Sequence, residues 1–333
     1  MTGDAETGPA GADGSPTGGG TGRCYWPAGS AAVGRWSVAL DPQRCGWTYT
    51  GLRVVELPPG ARVGFDTGPD EVIVLPLAGS AVLHCTDSDS DSACGPDTDR
   101  APAGGAGGGW TMELAGRSGV FAGISDFGYL PPGTRAELSS ADGGRFALPA
   151  ARARRRFPAR YGPADGVRVE LRGAGTCSRQ VNNFATPETF ETDRLIACEV
   201  LTPDGNWSSY PPHKHDEPRA GQEVVLEEIY YFEVGIGPTG TPGYGYHRIY
   251  GTVRRPIDVL AEVRSGDTVL VPYGWHGPSI AAPGHPLYYL NAMAGPAEER
   301  SWLISDDPAH AWVRASWAGR PVDPRLPLTS HSR

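Results

Sequence analysis

The residues of this chain best suited to chemistry are three histidines and a pair of glutamates gathered in residues 210–276. His213 and His215 stand two apart in Tyr210-Pro211-Pro212-His213-Lys214-His215-Asp216, so on an extended strand they share one face. Glu227 and Glu228 open the apolar run Ile229-Tyr230-Tyr231-Phe232, and His276 ends a Gly266-x5-Pro272-x-Gly274-x-His276 turn that returns the chain to the same face. Neutral imidazoles beside a carboxylate make a site for a first-row divalent metal. The expected ligands are His213, His215, Glu228 and His276. Glu228 is preferred because Ile229–Phe232 continues a buried strand from it, whereas Glu227 points to the opposite face. Such a set suits Zn, Mn, Fe or Ni, and spacing does not separate them. With one carboxylate among its ligands the ion keeps net positive charge, so it can polarise a substrate hydroxyl or carbonyl. Lys214, between two ligands, is expected to face away from the metal into solvent.

Positioning these residues calls for strands. The chain has 333 residues, enough for two domains with their own cores. Its 47 Gly and 32 Pro, with regular turn signals such as Pro58-Pro59-Gly60 and Pro203-Asp204-Gly205, indicate an all-β chain of many short strands. Strand patterns occur at 36–40, 47–57, 71–77, 80–85, 167–171, 195–201 and 286–293, and a short helix is expected within 302–317, started by Ser305-Asp306-Asp307-Pro308. Residues 1–22 read as a disordered Gly-rich tail and 86–109 as a low-complexity loop. Residues 147–160, with Arg152, Arg154, Arg155 and Arg156, read as a basic linker. The expected organisation is therefore a tail (1–22), an N-terminal β-barrel domain (23–160) and a C-terminal one (161–333). Leu130-Pro131-Pro132-Gly133 in the first half parallels Val271-Pro272-Tyr273-Gly274 in the second, but the first half holds only His84. This pattern is that of a duplicated barrel in which only the C-terminal copy carries a metal site.

Composition also excludes classes of function. A net charge of −9 argues against nucleic-acid binding, which depends on neutralising phosphates. No run approaches 18 apolar residues, the length of a membrane span, and the N-terminus has no apolar signal-peptide core. The six cysteines are scattered without CxxC pairs and read as reduced thiols, so a cytoplasmic protein is expected. Lys214 is the sole lysine, which leaves a Schiff-base enzyme only that amine. The oligomeric state stays open, a homo-oligomer included.

His-x-His, a carboxylate and Gly-x5-Pro-x-Gly-x-His together resemble the cupin signature, with residues 216–226 inserted before the carboxylate. This resemblance implies two tandem cupin (jelly-roll β-barrel) domains. More specifically, residues 173–183 (Gly-Ala-Gly-Thr-Cys-Ser-Arg-Gln-Val-Asn-Asn), 210–216, 226–232, 271–278 and 288–295 (Tyr-Tyr-Leu-Asn-Ala-Met-Ala-Gly) resemble the 5-deoxyglucuronate isomerase family of bacterial myo-inositol catabolism. That family is similar in turn to the 4-deoxy-5-hexosulose-uronate ketol-isomerase of pectin breakdown, a zinc bicupin whose ligand pattern falls on His213, His215, Glu228 and His276. The resemblance is strong over about 170–320 and weak before it.

What the resemblance implies is a metal-dependent aldose–ketose isomerase, converting 5-deoxy-D-glucuronate to 5-dehydro-2-deoxy-D-gluconate through a metal-stabilised enediolate. Its cofactor would be one divalent ion, zinc first, with manganese or iron as alternatives. Such a reaction needs charge stabilisation at two neighbouring oxygens and a base at the migrating proton. The base candidates are Glu227, Tyr230 and His247, and a uronate carboxylate could be met by Arg179 or Arg248. The alternatives are a non-catalytic sugar-binding cupin and an Fe(II) cupin dioxygenase.

Overall fold

The computed structural model describes residues 23–87 and 109–330; the expected tail at 1–22 and nearly all of the expected loop at 86–109 lie outside them. Its strands form three sheets, and the only described helices of α type, Pro42–Cys45 and Trp312–Ala315, are single turns. None of the described helices is long and apolar enough to cross a membrane.

The C-terminal half is a barrel of two facing sheets. One has seven strands in the order Tyr25–Trp26, Thr268–Val271, Glu227–Val234, Leu287–Ala294, Ile196–Thr202, Arg179–Ala185 and Arg168–Arg172. The other runs Asp258–Val263, Gly245–Tyr250, Trp275–Ala281, His213–Lys214 and Ser305–Asp306, with Trp207–Ser208 also paired to Trp275–Ala281. The strand alternation of side chains explains why Glu227–Val234 is apolar almost throughout. Tyr230, Phe232 and Val234 fill the barrel interior with Val181, Cys198, Ile249 and Tyr289. Ile229 and Tyr231 face the other way, into a core shared with Val54, Ile73 and Leu75 of the N-terminal half. The seven-stranded sheet is thus buried on both faces, and residue parity decides which core each side chain enters.

The N-terminal half is a nine-stranded sheet folded on itself. Its long strand Asp70–Asp87 pairs first with Phe127–Leu130 and Gly144–Arg152, then with Trp110–Arg117 and Thr134–Ser139. Register shifts at Pro76/Ala78 and Gly79/Ala81 let it turn from one layer to the other. Gly79 has φ 87°, and a Cβ there would lie 2.4 Å from the Gly143 carbonyl oxygen, so glycine is required.

The expected boundaries need three corrections. Tyr25–Trp26 pairs with Thr268–Val271 in the C-terminal sheet, and Arg160–Gly162 pairs with Phe127–Leu130 in the N-terminal one. The first part of the expected linker, residues 147–152, is also strand, since Gly144–Arg152 pairs along Thr50–Leu57; Ala147 and Leu148 are buried there, and arginine character hid the pattern. Finally, Ser305–Asp306 is a strand that pairs with His213–Lys214, and the helical turn starts only at Trp312. Among the described residues no cysteine forms a disulfide.

Candidate active site

His213 and His276 are cross-strand partners in the register of their strands, and Glu228 projects into the barrel from the opposite sheet, between Val271 and Met293. The ring of His276 lies between the other two, 4.4 Å from His213 and 4.7 Å from His215 between centroids. The potential ligand atoms of His215, Glu228 and His276 all fall within 4.8 Å of one another, and all three residues are buried. His213 stands beside this triad at the wall of a cavity, so the structure brings three of the four expected ligands into one cluster and the fourth next to it.

Backbone carbonyls fix which imidazole nitrogens face inward. His215 Nδ1 is 3.0 Å from the Leu226 carbonyl oxygen, and His276 Nδ1 is 3.1 Å from that of Gly274. A ring that donates through Nδ1 presents its Nε2 lone pair to the site. Both Nε2 atoms lie against one carboxylate oxygen, Glu228 Oε2, at 3.0 and 3.1 Å. His276 Nε2 is buried and makes no hydrogen bond despite that proximity. Lone pairs of imidazole and carboxylate converging in a dry interior repel unless a cation stands among them. The donor set therefore fits a divalent metal, with nitrogen and oxygen ligands of the kind such ions take. Asn291 Nδ2 donates to the other carboxylate oxygen, Glu228 Oε1, at 2.6 Å and holds Oε2 toward the histidines.

The charges follow this geometry. Burial would raise the Glu228 carboxyl, but the His215 and His276 imidazoles beside it overcome that effect and hold the group ionised. Burial lowers His213 well below the usual imidazole range, and His276 beside it adds to the effect, so His213 is neutral. Burial likewise opposes charge on His215, yet hydrogen bonding and the charge of Glu228 raise its pKa on balance.

The candidate ligand cluster opens onto a cavity of about 390 Å³, a size suited to a sugar-sized ligand. Glu228, Tyr230 and His213 line one end; Glu170, Arg172 and Arg179, on the far strands of the same sheet, line the other. Trp302, Ile304, Arg314 and Trp317 of the C-terminal segment close a wall. Arg172 is paired with Glu170 at 2.9 Å and Arg314 with Asp306 at 2.7 Å. Arg179 has no such acid: it donates to the carbonyl oxygens of Cys177 (3.1 Å) and Tyr210 (3.4 Å) and lies over Trp317. Burial lowers its pKa to about 10, so it stays charged near neutrality.

The structure separates the remaining candidates. Tyr230 reaches the cavity, but burial and the nearby charge of Glu228 raise its phenol well above the usual value; it is a proton donor rather than a base. Glu227 is not in the cavity. Its parity is that of Ile229 and Tyr231, and its carboxylate accepts hydrogen bonds from the backbone N–H groups of Thr48, Tyr49 and Thr50 at 2.7, 2.7 and 2.9 Å. His247 is fully buried behind Tyr230, their ring centroids 4.5 Å apart, and its Nδ1 is bonded to Ser279 Oγ at 2.8 Å. Burial lowers its pKa to about 3, with His276 contributing. Arg248 sits between inward His247 and Ile249 and so points outward, to Asp258 and the Val259 carbonyl. Lys214 does face away from the metal, but into a buried cluster rather than solvent, bonding Asp216 at 2.6 Å and Glu223 at 2.8 Å. Asp216 also accepts from the N–H of Gly274 at 3.0 Å, which ties the His215 segment to the turn before His276. The sequence reasoning assigned no role to Asn291, Arg172, Arg314, Ser209 or Tyr289. Period-two parity with Glu228 and Tyr230 could have found Tyr289 and Asn291, whereas Arg314 sits in the single helical turn Trp312–Ala315, too short to carry a readable period.

Known proteins resemble this chain over most of its length. The profile of the KduI/IolB family matches residues 25–313. The 5-deoxy-glucuronate isomerase of Geobacillus thermodenitrificans (strain NG80-2) is 36% identical over 282 residues, covering 84% of this chain and 91% of that one. The protein of the same name from Bacillus subtilis (strain 168) is 31% identical over 268 residues, 80% of this chain and 88% of that one. Among solved structures, an IolB-like protein from Salmonella typhimurium LT2 superposes with a TM-score of 0.74 at 28% identity, covering 88% of this chain and all of that one. Oxalate decarboxylase from Lactobacillus farciminis shares the fold alone, with a TM-score of 0.55 at 11% identity over 87% of this chain and 90% of that one. The two barrels are cupin barrels, and the chain is an isomerase belonging to the KduI/IolB family.

Proposed function

We propose that this isomerase converts 5-deoxy-D-glucuronate to 5-dehydro-2-deoxy-D-gluconate, using one divalent metal ion, with zinc the first choice. The observation that carries this reading is the polarity of the cavity: a metal-ligand cluster at one end and an arginine without an acid at the other. A sugar acid has the matching ends, a carbonyl and a carboxylate. Relatives named 5-deoxy-glucuronate isomerase, aligned over most of the chain, support the same substrate.

His215, Glu228 and His276 would hold the ion, with His213 beside them. When bound, it supplies Lewis-acid stabilisation of negative charge at the carbonyl end. Arg179 binds the carboxylate through two parallel N–H···O bonds, a geometry its planar guanidinium favours. Tyr230, held neutral, donates a hydrogen bond to a sugar oxygen at the metal end. Trp302 and Trp317, which back Arg172 and Arg179, exclude water from that wall.

The test is an anaerobic assay on 5-deoxy-D-glucuronate beside metal analysis of the purified protein. Isomerisation that disappears on chelation and returns with Zn²⁺, Mn²⁺ or Fe²⁺ supports the proposal. Turnover that requires oxygen would assign the site to a dioxygenase, and tight uronate binding without turnover would leave a binding module.

A further inference from the structure

Ser209 is the sole non-glycine residue among those described with a positive φ, at 48°. A left-handed serine is strained, and such strain concentrates at functional sites. The strain brings its hydroxyl into the cavity wall, 2.9 Å from Tyr289 Oη and 3.4 Å from Tyr230 Oη. The backbones are close there: a Cβ on neighbouring Gly277 would lie 1.8 Å from the Ser209 carbonyl oxygen.

The hydroxyls behind Ser209 have a fixed direction. Ser208 Oγ has one proton, and it goes to the Ser279 carbonyl oxygen, which can only accept, at 3.1 Å. Tyr289 Oη must therefore donate to Ser208 Oγ, at 3.1 Å, as Thr202 Oγ1 also does at 2.7 Å. Tyr289 Oη in turn accepts the proton of Ser209. Ser209 Oγ is then left with lone pairs at the cavity, an acceptor, beside the Tyr230 hydroxyl, which has one O–H to donate.

Building on the function proposed above, we propose that Ser209 and Tyr230 form an acceptor–donor pair that reads the α-hydroxycarbonyl unit of the substrate. Tyr230 donates to the carbonyl oxygen, and Ser209 accepts from the adjacent hydroxyl. In the product the oxygen facing Ser209 is a carbonyl with no proton to give, so the pair matches the substrate form rather than the product form. Both residues touch the reacting end of the sugar, so both are catalytic residues.

The experiment compares wild type with Ser209→Gly, Ser209→Ala and Tyr230→Phe. Ser209→Gly keeps the backbone conformation, which glycine adopts freely, so it folds at least as stably as wild type and retains its metal. Each variant is assayed for kcat and KM on 5-deoxy-D-glucuronate. Binding of an open-chain hexuronic hydroxamate, a mimic of the enediolate, is followed separately by tryptophan fluorescence. Ser209→Gly and Tyr230→Phe should each lower kcat by at least tenfold and weaken hydroxamate binding about tenfold, with metal content unchanged. A purely structural serine would instead leave the folded Ser209→Gly protein within threefold of wild type in both readouts, which overturns the proposal. If wild type binds the hydroxamate but does not turn over the uronate, the proposed reaction fails while the binding comparison still judges the pair. If wild type neither binds nor turns over, both are overturned.

Discussion

Adjacent Glu227 and Glu228 should fail in opposite ways when each is changed to glutamine. The Glu227 carboxylate accepts three backbone hydrogen bonds from the Thr48, Tyr49 and Thr50 N–H groups of the other half. Hydrogen bonds to a charged group contribute about 1.5–3 kcal/mol each. A glutamine keeps one carbonyl oxygen but turns its NH₂ toward an N–H, so at least one bond and the charge are lost. Because Glu227 is only half-buried, the lower end of that range, about 1.5 kcal/mol, applies to the bond lost, and the backbone N–H left facing an NH₂ adds about as much again, for a cost of about 3 kcal/mol. For a chain of this size, unfolding entropy near 2 cal/mol/K per residue turns that into a fall of about 5 °C in Tm. Activity per folded molecule should stay within twofold, because the side chain leaves the strand on the face away from the cavity. Glu228→Gln reverses the pattern, with a small change in Tm in the metal-free protein and at least a 100-fold loss of metal affinity and activity. Differential scanning fluorimetry with chelator, metal titration and the isomerase assay together read all of these quantities. A Glu227→Gln protein that folds as stably as wild type but loses catalysis 100-fold would refute the parity argument and return Glu227 to the list of bases.

Other expectations follow from the same geometry. Asn291→Ala leaves Glu228 Oε1 without its 2.6 Å donor and should weaken metal binding about 10–100-fold with the fold intact, measured by competition with a chromogenic chelator. Arg179→Lys, which keeps charge but loses the two-pronged contact, should raise KM for the uronate about tenfold or more, while Arg248→Lys, outside the cavity, should leave it unchanged. The pH dependence of stability should carry the mark of Glu223: burial opposes its ionisation, but Lys214, Ser305 and the Asp216 N–H bring its pKa from 4.5 down to about 2. A depressed carboxylate contributes stability that is fully present above its unfolded pKa and is lost as pH falls from about 4.5 toward 2. Its loss amounts to at most about 3 kcal/mol, and Glu223→Gln should flatten the Tm–pH curve over that interval.

The strand-bearing part of this fold was legible because alternation in a β-strand survives in the letters. The parity of Glu228 with Tyr230, and of His213 with His215, is enough to set the metal ligands on one side of a barrel. What alternation does not carry is partner identity. Glu227 lies on the face opposite Glu228, as its parity requires, yet the letters leave it among the base candidates, because nothing local says that residues 48–50 wait on the other side of the sheet. His247 points inward, but a large buried Tyr230 separates it from the cavity. The walls contributed by Trp302, Arg314 and Trp317 come from a segment with little regular structure, where no period exists to read. Lys214 looked solvated because lysines mostly are; its burial depends on Asp216 and Glu223 converging on one ammonium.

The register of the two halves explains why one barrel carries a site and the other does not. In the C-terminal sheet Glu228 is paired with Val271, the first residue of Val271-Pro272-Tyr273-Gly274. In the N-terminal sheet Val72 is paired with Leu130, the first residue of Leu130-Pro131-Pro132-Gly133. Val72 therefore occupies the place of Glu228, and two residues beyond each turn glycine Arg135 occupies the place of His276. Arg135 pairs with Asp66 at the surface at 3.2 Å, so both positions have exchanged a ligand for a residue that serves packing or solvation. One position earlier the correspondence is kept. Glu71, preceding Val72 as Glu227 precedes Glu228, accepts three successive backbone N–H groups, from Asp193, Arg194 and Leu195 at 2.8, 2.7 and 2.7 Å. Each half thus inserts one carboxylate into the backbone of the other, and the pair of clamps is reciprocal. The strand that opens each barrel performs two tasks on its two faces: the face toward the other half is preserved in both copies, because the interface needs both. The face toward the cavity is free to differ, and only the C-terminal copy presents a metal ligand there.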